Sequence, residues 1–205
     1  MKKDEALKIV TTCAKQYKQN LANQNLLFAL SNGEDKMDYI ETVFLPQNFM
    51  HLTGVVPCNK SLSSVNFYNA CINGKLTPAL FDMSRDGTTH MKLSVLPQIM
   101  NIHKVARMAG DFTENKIKLN TEKIVGNIHA CMGFVQALQI QGYFVPNTVL
   151  REDIRDIVEK PTRKVLAVFR KAISANRYDE CTYVSKNINL TMIKDCIKFA
   201  QLMEE

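Results

Sequence analysis

A few side chains in this sequence stand where their type and spacing suit the handling of a proton or an anion. His51 lies in Asn48-Phe49-Met50-His51-Leu52-Thr53-Gly54, read as a loop just past a strand end, between Phe49 and Leu52, which would anchor it. An imidazole with a reference pKa of about 6.5 exchanges protons near neutrality, and loops held by a rigid scaffold carry a large share of functional groups. A histidine that only ties the loop backbone together fits the same spacing. The other three histidines are weaker candidates: His103 falls four residues after Ile99 on the flank of an apolar stripe, His90 at a loop-to-helix entry, and His129 in a predicted strand.

The second informative stretch is Tyr143-Phe144-Val145-Pro146-Asn147-Thr148-Val149-Leu150-Arg151-Glu152-Asp153-Ile154-Arg155. A strand is expected to run to Pro146, with Asn147 or Thr148 capping a turn of helix that follows. Arg151 and Arg155 would then share one helical face at i, i+4, and their planar guanidinium forks match a phosphate. Pairing with Glu152, Asp153 or Asp156 is the competing arrangement. Further on, Arg163 to Lys171 reads as a basic strand in which Arg170 and Lys171 point to opposite faces.

Between Glu159 and Arg177, six cations face the single acid Glu159, and this segment carries most of the net charge of +6. A basic balance so confined suits a local anionic partner such as a phosphate backbone, or a merely solvated basic face. Several chemistries are absent from the sequence. It holds no GxxxxGK[ST], no GxGxxG, no GxSxG and no HExxH, so the usual nucleotide-binding loops, the serine-hydrolase elbow and the zincin helix are excluded. The six cysteines include no CxxC pair and fit no zinc spacing, which predicts reduced, largely buried thiols and neither metal nor cofactor. The longest apolar runs are a few residues, so no membrane span is expected, and no apolar leader follows the basic start. A cytoplasmic chain is the expectation.

The elements that must position these residues follow from periodicity. Ala6, Ile9, Val10, Cys13, Tyr17 and Leu21 predict an amphipathic helix over 4–21. Leu26 to Leu30 and Tyr39 to Leu45 flank Asn32-Gly33 and predict a β-hairpin. A helix from Ser61 to Asn73, a short helical turn around Thr77 to Met83, and a helix from Leu93 to Met108 stopped by Gly110 come next. Short strands are expected at 116–119, 123–130, 132–140 and 143–145, then Val165 to Ile173 and Tyr183-Val184. A helix from Asn189 to about Met203 closes the chain. The fold class is α+β, helices packed on an antiparallel β-sheet in a single compact domain over 1–205. It comprises an N-terminal helix in 1–24, a core over 25–188 and a C-terminal helix in 189–205.

Taken together, FLPQNFMHLTGV, FYNACINGKL, TEKIVGNIHACMGFV, YFVPNTVLREDIRDIV and VLAVFRK resemble, in order, the phage Barnase–EndoU–colicin E5/D–RelE-like nuclease family, the PBECR4 group. The resemblance spans roughly residues 25 to 195 and implies a BECR-like α+β fold and RNA cleavage, in proteins of phages and mobile elements. A metal-independent ribonuclease uses the 2′-hydroxyl as nucleophile and needs a base, an acid and a cation for the phosphorane. On that expectation His51 is acid or base, and Lys171 or Arg151 stabilises the phosphate. Thr53, Asn147, Thr148, Arg155, Arg170 and Tyr183 would contact the substrate. The alternative is a non-catalytic protein that binds nucleic acid or a host defence factor through its basic face. A nuclease should bring His51, Arg151 and Lys171 into one cleft, and a binder should not.

Overall fold

The structure is a computed structural model and describes residues 1–33, 37–59, 61–114, 118–138, 140–178 and 180–194. Helix α1 (Lys3–Asn20) forms where Ala6, Val10, Cys13, Ala14 and Tyr17 recur at helical spacing, and all five are buried. Acidic Asp4 and Glu5 occupy its first turn, where the helix dipole favours them. Strands β1 (Gln24–Ser31) and β2 (Met37–Phe44) form the expected antiparallel hairpin, with Gln24 opposite Phe44 and Ser31 opposite Met37.

The later strands are β5 (Met108–Asp111), β6 (Lys123–Gly126), β7 (Cys131–Gln136), β8 (Phe144–Leu150), β9 (Arg163–Ala172) and β10 (Glu180–Val184). Their pairing closes on itself. β1 bonds β2 on one side and β9 on the other, so seven strands form the ring β1-β2-β8-β7-β6-β5-β9, and β10 lies along β9. All these pairings are antiparallel except β2 with β8, whose parallel register joins Thr42 to Phe144. The inner face carries Leu26, Phe28, Phe44, Met132, Phe134, Val149 and Val168 against the helices. Outside, Leu27, Ala29, Ala167 and Phe169 are covered by Tyr178 and Ile193. A third cluster sets Ile124, Cys131 and Leu150 under Ile154, Ile157 and Val158.

Several stretches differ from the sequence expectations. Residues Asn48–Thr53 form helix α2 rather than a loop. Phe49 and Leu52, three apart, bury one face of it, the Asn48 Oδ1 accepts from the Leu45 N–H at 2.8 Å, and Gly54 ends it at φ 68°. Phe81–Met83 is a strand, β4, paired with β3 (Val55–Pro57); a partner about 25 residues away leaves no local periodicity to read. Helix α3 runs over Ser64–Ile72 rather than from Ser61, and Ser63 caps it, its Oγ accepting from the Asn66 N–H. The helix expected over 93–108 is two, α4 (Thr88–Ile99) and α5 (Ile102–Val105), and Gly110 sits within β5. A Cβ there would come within 2.8 Å of the Val158 side chain, so Gly110 serves close packing instead of stopping a helix.

Strand β8 also runs straight through Pro146 to Leu150, and no helical turn begins at Asn147. Pro146 opposes Phe134 beside a register shift at which Asn147 is the extra residue of β8, the kind of irregularity at which a strand tolerates a missing N–H. The turn that does form, Ile154–Asp156, is a single 3-10 turn capped by Asp153. Of the C-terminal helix, α6 covers Leu190–Lys194, and the remainder of that expectation lies outside the described residues. No helix among the described residues is long and apolar enough to cross a membrane.

His103 is a core residue, 1% exposed, whose Nδ1 has no hydrogen-bond partner among the described residues. Burial, with Arg170 and Lys104 nearby, brings its pKa down from 6.5 to about 4. A histidine bound more weakly to its proton in the folded state leaves stability intact above the unfolded pKa and erodes it as pH falls through the window from 6.5 to 4. Replacing His103 by leucine should therefore flatten that part of the stability profile, measured as the urea midpoint at pH 7, 5.5 and 4.5. An unchanged slope would show that other groups set it.

Candidate functional site

The residues picked out by sequence lie in separate places. His51 is exposed on α2, and among the described residues its imidazole makes no hydrogen bond or ion pair. Its backbone carbonyl accepts from Lys92 Nζ at 2.9 Å. That lysine is buried on α4, burial brings its pKa down to about 8, and it closes the C-terminal end of α2. Arg151 follows the end of β8, exposed and without a hydrogen bond or ion pair among the described residues. Lys171 belongs to the outer face of β9. Among the described residues no hydrogen bond or ion pair joins the three, and Lys171 lies on the Tyr178 side of the sheet whereas α2 packs on the other.

The expected substrate contacts are mostly committed to the fold. Thr53 is buried, donating from Oγ1 to the Met50 carbonyl at 2.6 Å and accepting from the Val55 N–H. Asn147 donates to the Asn120 carbonyl and accepts from Thr121, which ties the 120–121 segment to β8. Thr148 is buried, its methyl in the space that a Cβ on Gly133 would need. Arg155 pairs with Asp153 at 2.6 Å in place of sharing a face with Arg151. Arg170 turns towards the helices, bonding Glu180 at 2.6 Å and the Asn20 carbonyl at 3.1 Å. Tyr183 lies under Arg107, 4.2 Å from guanidinium carbon to ring centre.

The basic run over 159–177 is thereby dispersed. Arg163 bonds Asp38 at 2.9 Å and Asp111 at 3.3 Å, and Arg170 is paired as above. Strand alternation sends Lys171 to the opposite face from Arg170, as expected.

That opposite face holds a compact polar group. β1 lies between β2 and β9, with Asn25 opposite both Val43 and Lys171, and Leu27 opposite both Glu41 and Phe169. Glu41 and Lys171 therefore stand diagonally across β1. Each is only 8% exposed. Tyr178, on the segment after β9, folds back between them: its hydroxyl donates to Glu41 Oε1 at 2.6 Å, and the Lys171 ammonium lies 4.8 Å from its ring centre. Tyr143, half-buried just before β8, brings its hydroxyl to Glu41 and Asn25. Burial, and next the Glu41 charge, hold the Tyr143 pKa up at about 12 and that of Tyr178 well above the ordinary tyrosine range, so both hydroxyls keep their protons. The Asn25 Oδ1 is buried with no hydrogen-bond partner among the described residues.

A buried carboxylate and a buried ammonium are costly to desolvate unless they are paired or used. Here they flank one phenol, beside an unfilled amide acceptor, with the half-buried Tyr39 and Tyr143 at the rim. The set can accept a proton, donate one and neutralise an anion. Sequence reasoning singled out Lys171 and missed Glu41, Tyr178, Tyr143 and Asn25. The alternation of β2 and β9 was visible, but not that β1 would lie between them. Among the described residues no three His, Cys, Asp or Glu side chains cluster as metal ligands.

A family model described as phage-Barnase-EndoU-ColicinE5/D-RelE like nuclease4, PBECR4, matches residues 9–187. No curated protein and no solved structure matches the chain.

Proposed function

The chain belongs to the phage-Barnase-EndoU-ColicinE5/D-RelE-like nuclease family PBECR4, and from that premise we propose that it is a ribonuclease whose reacting groups are Glu41, Lys171 and Tyr143. The observation that carries this reading is the convergence of a carboxylate, an ammonium and two protonated phenols on the outer face of β1, β2 and β9. In the proposed reaction Glu41 takes the proton of the 2′-hydroxyl and the 2′-oxygen attacks the adjacent phosphorus. The bond from phosphorus to the 5′-oxygen then breaks. Tyr143, at the rim, donates its hydroxyl proton to that leaving oxygen, and the Lys171 ammonium balances the charge of the phosphorane. Tyr178 is a positioning residue: its bond to Glu41 Oε1 fixes the carboxylate. The products are a 2′,3′-cyclic phosphate and a 5′-hydroxyl.

A second reading, binding of nucleic acid or a host factor without cleavage, is favoured by the depth of Glu41 and Lys171 and by the packing of α2, which carries His51, on the sheet face opposite to that of Lys171. Labelled RNA oligonucleotides incubated with the protein in EDTA separate the two. The first reading expects cleavage, and it expects His51→Ala to cleave within about threefold of wild type, because no group of the sheet-face site depends on that imidazole. Loss of cleavage in His51→Ala would move the centre to α2. A folded wild-type protein that binds RNA and leaves it whole would establish the second reading.

A further inference from the structure

On the other side of β9 from β1, β5 pairs with Arg163 and Lys164 and β10 with the stretch from Ala167 to Arg170, and where the two meet lies a groove of about 430 Å³ lined by Arg107, Lys164, Tyr183, Val184, Ser185 and Lys186. Its floor is closed by backbone: the Val165 N–H donates to the Arg107 carbonyl at 2.9 Å and the Ser185 N–H to the Leu166 carbonyl at 2.8 Å. Three cations meet here from three segments. Among the described residues none has a carboxylate within 4.0 Å, whereas Arg163, Arg170, Arg155 and Lys123 all do.

Arg107 is held in place. Its Nη1 donates to the Lys104 and Ala106 carbonyls, both at 2.8 Å, and its guanidinium carbon lies over the Tyr183 ring, 4.2 Å from the ring centre. The remaining N–H groups of that fork have no acceptor among the described residues. A fixed fork beside two unpaired ammonium groups is what a phosphate oxygen pair requires, and little rotamer entropy is left to lose on binding. Tyr183 already carries Arg107 on its ring, so the groove recognises phosphate rather than stacking a base.

We propose that this groove is a phosphodiester subsite that holds a nucleic-acid strand away from the reacting groups. The inference rests on the reading that nucleic acid is the ligand, and not on where or whether the strand is cut.

A fluorescent single-stranded 2′-O-methyl oligonucleotide is the suitable probe, since it keeps the phosphates but has no 2′-hydroxyl to react. Its affinity is measured by anisotropy across a salt series for wild type, the double variant Lys164→Glu with Lys186→Glu, and Arg107→Lys. The lysines are exposed, so the double variant should melt with the wild type while binding at least about tenfold more weakly, with a log–log salt slope smaller by about 1.4 for two lost phosphate contacts. Arg107→Lys keeps the charge and loses the fork, and should weaken binding severalfold. Wild-type affinity in the double variant, or no binding by wild type, overturns the proposal. Failure of the cleavage reading would show in the products of an ordinary RNA and leave this titration unchanged.

Discussion

Replacing Glu41 by glutamine should slow RNA cleavage by about a hundred- to ten-thousandfold, the usual contribution of a positioned general base. The substitution keeps the shape of the side chain and an oxygen that can accept from the Tyr178 hydroxyl, whose present bond is 2.6 Å. It removes the negative charge and with it the capacity to take the 2′-hydroxyl proton. Lys171→Met, which keeps an unbranched apolar stem and loses the ammonium that lies over Tyr178, should cost about a hundred- to a thousandfold for loss of one charge-stabilising group. The two losses should not add fully, because the proposed reaction places both groups in one transition state. Single-turnover rates at saturating RNA measure both, with thermal unfolding as a control for the fold. Cleavage within a fewfold of wild type in both variants would remove the outer face of β1, β2 and β9 from the reaction.

The second large effect concerns the fold. Phe134 is fully buried on the inner face of β7, and its ring meets that of Phe44 edge-on with centres 6.0 Å apart. Phe44 continues the stack to Tyr17 on α1, which in turn contacts Phe49 on α2 and Tyr68 on α3. Phe134 therefore links the far strands of the ring to the helices. Phe134→Ala should destabilise the protein by about 3–5 kcal/mol, the transfer term plus the cavity left in a tightly packed core. Phe134→Leu, which fills most of the space, should cost less than half of that. Urea unfolding at constant slope checks both. Equal, small losses would mean that the helices and the strands of the ring do not share a core.

Local pattern carried much of the architecture and little of the site. The hairpin of β1 and β2 announced itself through Asn32-Gly33 and its β-branched flanks, and α1 through apolar residues at three- and four-residue steps, because both are determined by neighbours in sequence. The resemblance to the nuclease family rested on whole blocks such as NFMHLTG and VPNTVLREDIRD, which do not depend on naming each element correctly. What failed depended on distant contacts. Asn147 and Thr148 resembled helix caps, but β7 pairs along that segment and draws it into strand. The basic run resembled one charged face until Asp38, Asp111 and Glu180 neutralised Arg163 and Arg170.

The same long-range pairing assembled what was not legible. Glu41 and Lys171 are 130 positions apart and meet only because β1 has β2 on one side and β9 on the other. Tyr178 follows β9 without periodicity and is defined by the face it covers. In the groove, Lys164 comes from the conspicuous basic run, but its companions Arg107 and Lys186 are single cations in otherwise unremarkable segments.

The most direct measurement is the end chemistry of RNA cut by the wild-type protein in EDTA, resolved by mass spectrometry. Attack by the 2′-oxygen under Glu41 and Lys171 predicts 2′,3′-cyclic phosphates on one fragment and 5′-hydroxyls on the other, without added metal. Fragments ending in 3′-hydroxyl and 5′-phosphate would contradict the account, as would intact RNA beside a folded protein.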